Sequence, residues 1–113
     1  MDRDGFLVFD DALAVSPFYG DCSAEDIEFA TSRLSRQNPL SLAQPVRRAA
    51  WRSVPSTCVV CLRDQALAVP MQRWLAQRAH SQLLEMETSH SPFVSAPDSL
   101  AALVADIAHR TGG

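Results

Sequence analysis

The stretch STCVVCL, Ser56 to Leu62, narrows most what this chain folds into. A short, unbroken apolar run rich in β-branched residues shows no polar alternation, so it predicts a strand buried on both faces, as in parallel sheets covered by helices. Arg63-Asp64-Gln65 ends it. From Val69 the spacing of Met71, Trp74, Leu75, Arg78 and Ala79 predicts a helix, with Pro70 tolerated in its first turn. QLLEMET is a second strand, broken by SHSP, and PDSLAALVADIAHR is a second helix whose Leu100, Leu103, Val104 and Ile107 form one stripe before Thr111-Gly112-Gly113 stops it. The order strand, helix, strand, helix implies an α/β architecture with two parallel strands joined by a right-handed crossover.

The chain changes character near Trp51, which suggests a helical segment over residues 1–50 and the β-α-β-α unit over 51–113. In the first segment, DCSAEDIEFATSRL predicts a helix of about three turns, capped by Ser23 with Asp26 in its first turn and with Ile27, Ala30 and Leu34 on one face. NPLSLAQPVRRAAW predicts a short second helix from about Pro45. GFLVFDDALAVSPFYGD is apolar and aromatic and leaves strand, loop and cavity lining open.

Composition sets limits on chemistry. With 113 residues, 47% of them hydrophobic and 20% charged, the chain suits one small globular domain. Its ten basic residues are all arginines without a cluster longer than Arg47-Arg48, so no nucleic-acid stripe is expected. The absence of lysine excludes Schiff-base chemistry and lysine-dependent phosphate loops. The acidic start Met1-Asp2-Arg3-Asp4 leads into no long apolar segment, so neither signal peptide nor membrane span is expected and the cytoplasm is the default location. Cys22, Cys58 and Cys61 are too few and too uneven for a disulfide scaffold. Cys58 and Cys61 lie within an apolar strand and read first as inert buried thiols, and only second as a redox or zinc pair. No metal and no cofactor is expected.

In parallel sheets functional side chains gather beyond the carboxyl ends of strands, where Asp64 and His90 both fall. If the two strands are neighbours, about 4.8 Å apart, the acid and the imidazole reach hydrogen-bonding distance. Such a carboxylate fixes the tautomer of a histidine base. Taken alone, the pair reads first as a cap and a satisfied loop histidine, and only second as a catalytic dyad. Other residues have plain readings: His80 and His109 at helix C-termini, and Trp51 and Trp74 as core or edge anchors.

The stretch Ala50 to Arg110 resembles the C-terminal part of α/β-hydrolase fold enzymes, in particular the plant methylesterase and hydroxynitrile lyase branch. By that resemblance VPSTCVVCLRD is the strand whose end supplies the triad acid, Asp64, and TSHSPFVSAP is the loop carrying the base, His90. FYGDCSAEDIEFATSRL is similar to the helical cap of these enzymes, which implies that Phe18, Tyr19 and Phe6 line a substrate pocket. Lyase members carry a lysine directly after the histidine; Ser91 stands here, which favours ester hydrolysis.

The resemblance breaks at the nucleophile. The family serine sits in G-x-S-x-G upstream of acid and base, and the four glycines here, Gly5, Gly20, Gly112 and Gly113, allow no such elbow. Ser89, Ser91, Cys61 and Cys22 are poor substitutes. The expectation is a truncated hydrolase, a partial fold of cap plus last two strand-helix units. It is inactive alone and needs a complementary N-terminal half, or a homodimer across the strand edge, to be stable and to act on a small ester-like substrate. The competing expectation is a non-catalytic module for association or small-ligand binding.

Overall fold

The computed structural model describes residues 1–112. Its centre is a parallel pair, β1 (Thr57–Cys61) and β2 (Gln82–Met86), in register from Thr57 opposite Gln82 to Cys61 opposite Met86. The connecting helix is α4 (Val69–Arg78), started by Pro70, whose missing N–H costs nothing in a first turn. Val60, at 0% exposure, is the most deeply buried large side chain.

Among the described residues three α-helices and a 3-10 turn, Ala50–Arg52, precede the pair. Helix α1 (Asp11–Tyr19) is capped by Asp10, whose carboxylate accepts from the Ala12 N–H at 2.9 Å. It occupies the segment that the sequence left open, and it carries Pro17 in its interior. Helix α2 (Ala24–Thr31) is capped as expected: Ser23 Oγ accepts from the Asp26 N–H at 3.1 Å. It is two turns long rather than three, because backbone turns at Arg33 and Leu34 replace a third. No helix starts at Pro45, where residues 44–48 are exposed and have nothing to pack on. The short α3 (Leu40–Ala43) forms earlier, where Asn38 Oδ1 accepts from the Leu40 N–H at 3.0 Å. After β2 come α5 (Pro92–Ser95), a turn the sequence did not signal, and α6 (Pro97–Thr111).

The apolar helix faces do not all find partners. In α4 the residues turned inward are Gln72 and Ala76, whereas Met71, Trp74 and Leu75 of the predicted stripe are exposed. Trp51 and Trp74 accordingly border an open groove and are not core. Helix α6 packs on α5 and buries no residue fully, and Val104 of its stripe is exposed. The chain exposes 8534 Å², where a compact monomer of its 12.4 kDa mass would expose about 6,100 Å². Its radius of gyration is 16.0 Å, against about 13 Å for a closed domain of this length.

The strand edges explain much of this openness. Gln82 N–H donates to Ser56 C=O and Leu62 N–H to Met86 C=O, each at 2.9 Å. By the parallel register, Ser56, Cys58, Val60 and Leu62 therefore turn their backbone polar groups toward β2, and Thr57, Val59 and Cys61 turn theirs away. Only Cys61 of those three has its outward groups answered among the described residues, its N–H by the Gln72 side chain and its C=O by the Gln72 side chain and the Asp64 N–H. A strand with the composition of a sheet interior thus lies at an edge.

Candidate active site

Parallel neighbours send their C-terminal loops to the same end of the sheet, which brings Asp64 and His90 together. His90 Nδ1 lies 2.8 Å from Asp64 Oδ2. The Asp64 side chain is 4% exposed and the His90 side chain 36% exposed, so the acid is enclosed and one side of the ring remains accessible. Among the described residues Nε2 has no hydrogen-bond partner.

The carboxylate is held from several sides. Asp64 Oδ1 accepts from the Ala66 and Leu67 N–H groups, each at 2.8 Å, which curls the loop after β1 around its own acid. Burial pushes the Asp64 pKa upward, but the Leu67 N–H, His90 and Ala66 N–H outweigh it and hold the carboxyl below its usual value. An ionised Asp64 accepting from Nδ1–H leaves Nε2 as the basic nitrogen.

Gln72 was not foreseen as part of this arrangement. Its Nε2 has two protons to give, to Leu67 C=O at 2.7 Å and Cys61 C=O at 3.1 Å, with Asp64 Oδ2 as a shared third acceptor at 3.3 Å, while its Oε1 accepts from the Cys61 N–H at 2.9 Å. One amide therefore caps the open edge of β1 and braces the acid loop. The available signal was a polar residue four positions before Ala76, on the helix face that turns to the strand.

The aromatic residues fall in different places. The Phe18 ring centroid lies 5.2 Å from that of His90, and Phe9 and Tyr19 flank Phe18 at 5.5 and 6.3 Å. Tyr19 is buried behind Phe18. Phe6 lies instead under the Arg36 guanidinium, 4.5 Å from its ring centroid. Ser16 Oγ donates to Gln65 Oε1 at 3.1 Å, and Asp21 accepts from Ser89, so α1 and the turn after it touch both loops. Asp21 was also missed, since nothing local marks a contact that spans 68 positions.

Cys58 and Cys61 are free thiols. Burial raises the Cys61 pKa, with Thr88 opposing and Asp64 adding to the rise. No group of three or more His, Cys, Asp or Glu side chains among the described residues is placed to hold a metal ion. No described helix is long and apolar enough to cross a membrane.

Residues 2–103 match the Alpha/beta hydrolase family. The chain belongs to that family. The "Alpha/beta hydrolase nvfD" of Aspergillus novofumigatus (strain IBT 16806) is 26% identical to this chain over 92 residues, which cover 80% of it and 37% of the fungal protein. The structure of polyneuridine aldehyde esterase superposes with a TM-score of 0.79 at 19% identity, covering 91% of this chain and 43% of the esterase. A pyrethroid hydrolase from Sphingobium faniae JZ-2 gives 0.73 at 21% identity, covering 95% of this chain and 48% of its own. The chain thus spans less than half the length of these relatives and carries a partial α/β-hydrolase fold, helices around a two-stranded parallel sheet.

Proposed function

We propose that this chain supplies the acid and the base of a carboxylic ester hydrolase, with the nucleophilic serine contributed by a segment outside these 113 residues. The observation that carries the reading is the pair itself: an enclosed, ionised Asp64 at 2.8 Å from Nδ1 of a half-accessible His90. Asp64 orients the ring, and His90 Nε2 takes the serine proton as Oγ attacks the ester carbonyl. The imidazolium then protonates the leaving alcohol, and a water activated by the same Nε2 releases the acid and regenerates the serine. No cofactor enters this sequence. Helices α1 and α2 act as a cap, and Phe18, backed by Tyr19, forms an apolar wall for the substrate beside the imidazole. One structural relative is polyneuridine aldehyde esterase, which supports an ester as substrate.

The missing segment docks on the outward edge of β1, where the backbone groups of Thr57 and Val59 lack partners. The surface excess of roughly 2,400 Å² over a compact monomer is on the scale of an obligate interface. A segment carrying a strand and G-x-S-x-G there covers the edge and completes the triad at once.

The test is reconstitution. The 113-residue chain is mixed or co-expressed with the G-x-S-x-G-bearing N-terminal half of a family member, and p-nitrophenyl acetate hydrolysis is followed. Activity that requires both pieces and is lost with His90→Ala is the expected result. Activity in the chain alone, or activity indifferent to His90→Ala, overturns the proposal. Reconstituted protein without turnover favours a non-catalytic association module.

A further inference from the structure

We propose that Asp21 is a positioning residue for His90, holding the preceding Ser89 and so fixing where the imidazole points. The Ser89 N–H donates to Asp21 Oδ2 at 2.8 Å, and the Ser89 hydroxyl donates to Asp21 Oδ1. Both carboxylate oxygens thus reach Ser89, and the Cys22 thiol adds only a 4.0 Å contact to Oδ1. Bonds to an ionised acceptor are stronger than neutral ones, and two of them on one residue fix orientation as well as distance.

Asp21 does not cap the helix that follows it. Its position before α2 suits a helix cap, yet Ser23 caps that helix and bonds to Asp26 by both its hydroxyl proton and its oxygen. The residues it steadies are the right ones. Ser89 and Ser91 are 3% and 2% exposed, so the backbone on either side of His90 is clamped while the imidazole stays half-accessible. The same segment also presents Phe18 against the ring. The turn after α1 therefore sets both the backbone beneath the histidine and the wall beside it. Burial pushes the Asp21 carboxyl upward, but the Ser89 hydroxyl and N–H outweigh this and keep it below its usual value, so the acceptor is ionised at neutral pH.

A base displaced by about 1 Å loses on the order of a hundredfold in rate. Asp64 fixes one edge of the ring; a loose Ser89 would let the whole ring swing about that bond. The consequence for catalysis rests on the triad reading above, but the placement of the imidazole is measurable in this chain directly.

The experiment is ¹⁵N NMR of the His90 ring at about pH 8, above the ordinary imidazole range, with amide exchange at Ser89. In the native chain the neutral ring is the Nδ1–H tautomer. Asp21→Asn shifts population toward Nε2–H and speeds Ser89 amide exchange about tenfold to a hundredfold. Ser89→Ala, which keeps the N–H bond and loses the hydroxyl, falls between. An Asp21→Asn chain with lowered Tm but an unchanged tautomer overturns the proposal, because the residue would then be merely structural. If Asp21→Asn does not fold, a native tautomer in Ser89→Ala overturns it equally. In the reconstituted esterase Asp21→Asn lowers kcat and spares KM; a loss confined to KM counts against positioning. Activity that survives His90→Ala would sink the triad reading, while the tautomer would still decide the role of Asp21.

Discussion

Gln72→Leu should destabilise this chain well beyond an ordinary substitution of one side chain on one helix. Gln72 is 6% exposed and serves three backbone groups, Cys61 N–H, Cys61 C=O and Leu67 C=O, in addition to Asp64. Leucine has a similar volume and satisfies none of them. Each buried group left unsatisfied costs about 1–3 kcal/mol, and burial of the isobutyl group recovers about 1.5–3 kcal/mol at most. Cys61 C=O keeps a bond from the Asp64 N–H at 3.3 Å, so two groups lose their partner and the net loss is about 2 kcal/mol. Urea unfolding followed by far-UV circular dichroism measures it, with a constant sucrose concentration holding native and variant chains in the folded range. At a slope of about 1–3 kcal/mol per molar, the midpoint should fall by roughly 0.7–2 M. Gln72→Glu keeps the acceptor for Cys61 N–H but loses the donor and sets a second carboxylate against Asp64, so it should fall at least as far at pH 7 as leucine. If Gln72→Leu unfolds within about 0.5 kcal/mol of the native chain, the range of an unremarkable surface change, then the amide neither caps the strand nor braces the acid.

Three further outcomes are expected. Val59→Pro removes an N–H that faces away from β2, so it should leave the strand pair standing and abolish reconstitution, whereas Val60→Pro breaks a ladder bond and unfolds the chain; Val59→Pro protein that still reconstitutes would refute docking on that edge. Because the Asp64 pKa is lowered on folding, its contribution is complete above the unfolded carboxyl value of about 3.9 and is lost as pH falls through the lower folded value. The stability gap between native chain and Asp64→Asn should therefore close from about pH 5 downward, as chemical unfolding at stepped pH would show, and a gap constant with pH would refute it. Alkylation by iodoacetamide, read by peptide mass, should reach Cys61 last, since burial raises its thiol pKa, and mild oxidation should not join it to Cys58, three positions away on the opposite strand face; early Cys61 labelling would contradict its placement.

The strand-helix-strand-helix unit was legible because STCVVCL, QLLEMET and the last helix carry unambiguous local patterns. The Asp64–His90 contact was legible for a related reason: adjacent parallel strands must deliver their following loops to one end of the sheet. Helix α1 was hidden by its own composition, since Pro17 and the absence of a one-sided apolar stripe suppress the helical signal, and only Asp10-Asp11 hinted at a start. Pro45 misled because a proline suits a first turn only where the next residues have a surface to cover, and Val46 and its neighbours have none. The stripe Met71, Trp74, Leu75 misled in the opposite sense. It has the spacing of a core face, yet the helix approaches the strand with small Ala76 and hydrogen-bonding Gln72. Asp21 and Gln72 act through partners distant in the chain, and no local pattern encodes such partners.

These misreadings share a physical origin with the unfinished chemistry. The exposed stripe on α4, the loosely packed α6 and the unanswered edge of β1 are features of elements shaped for a larger sheet. The acid and base need nothing from that sheet: they follow β1 and β2, and Gln72 and Asp21 steady their loops from within the chain. A nucleophile in the proposed chemistry has a different requirement, because it must approach Nε2 from a separate element. The edge of β1 is where another strand can be added without disturbing the pairing with β2. On the proposed reading, completing the sheet and completing the triad are the same event, and any polypeptide that restores ester hydrolysis should also raise the stability of β1. A partner that restored turnover while leaving the amides of Thr57 and Val59 unprotected from exchange would separate the two and remove the basis for linking them.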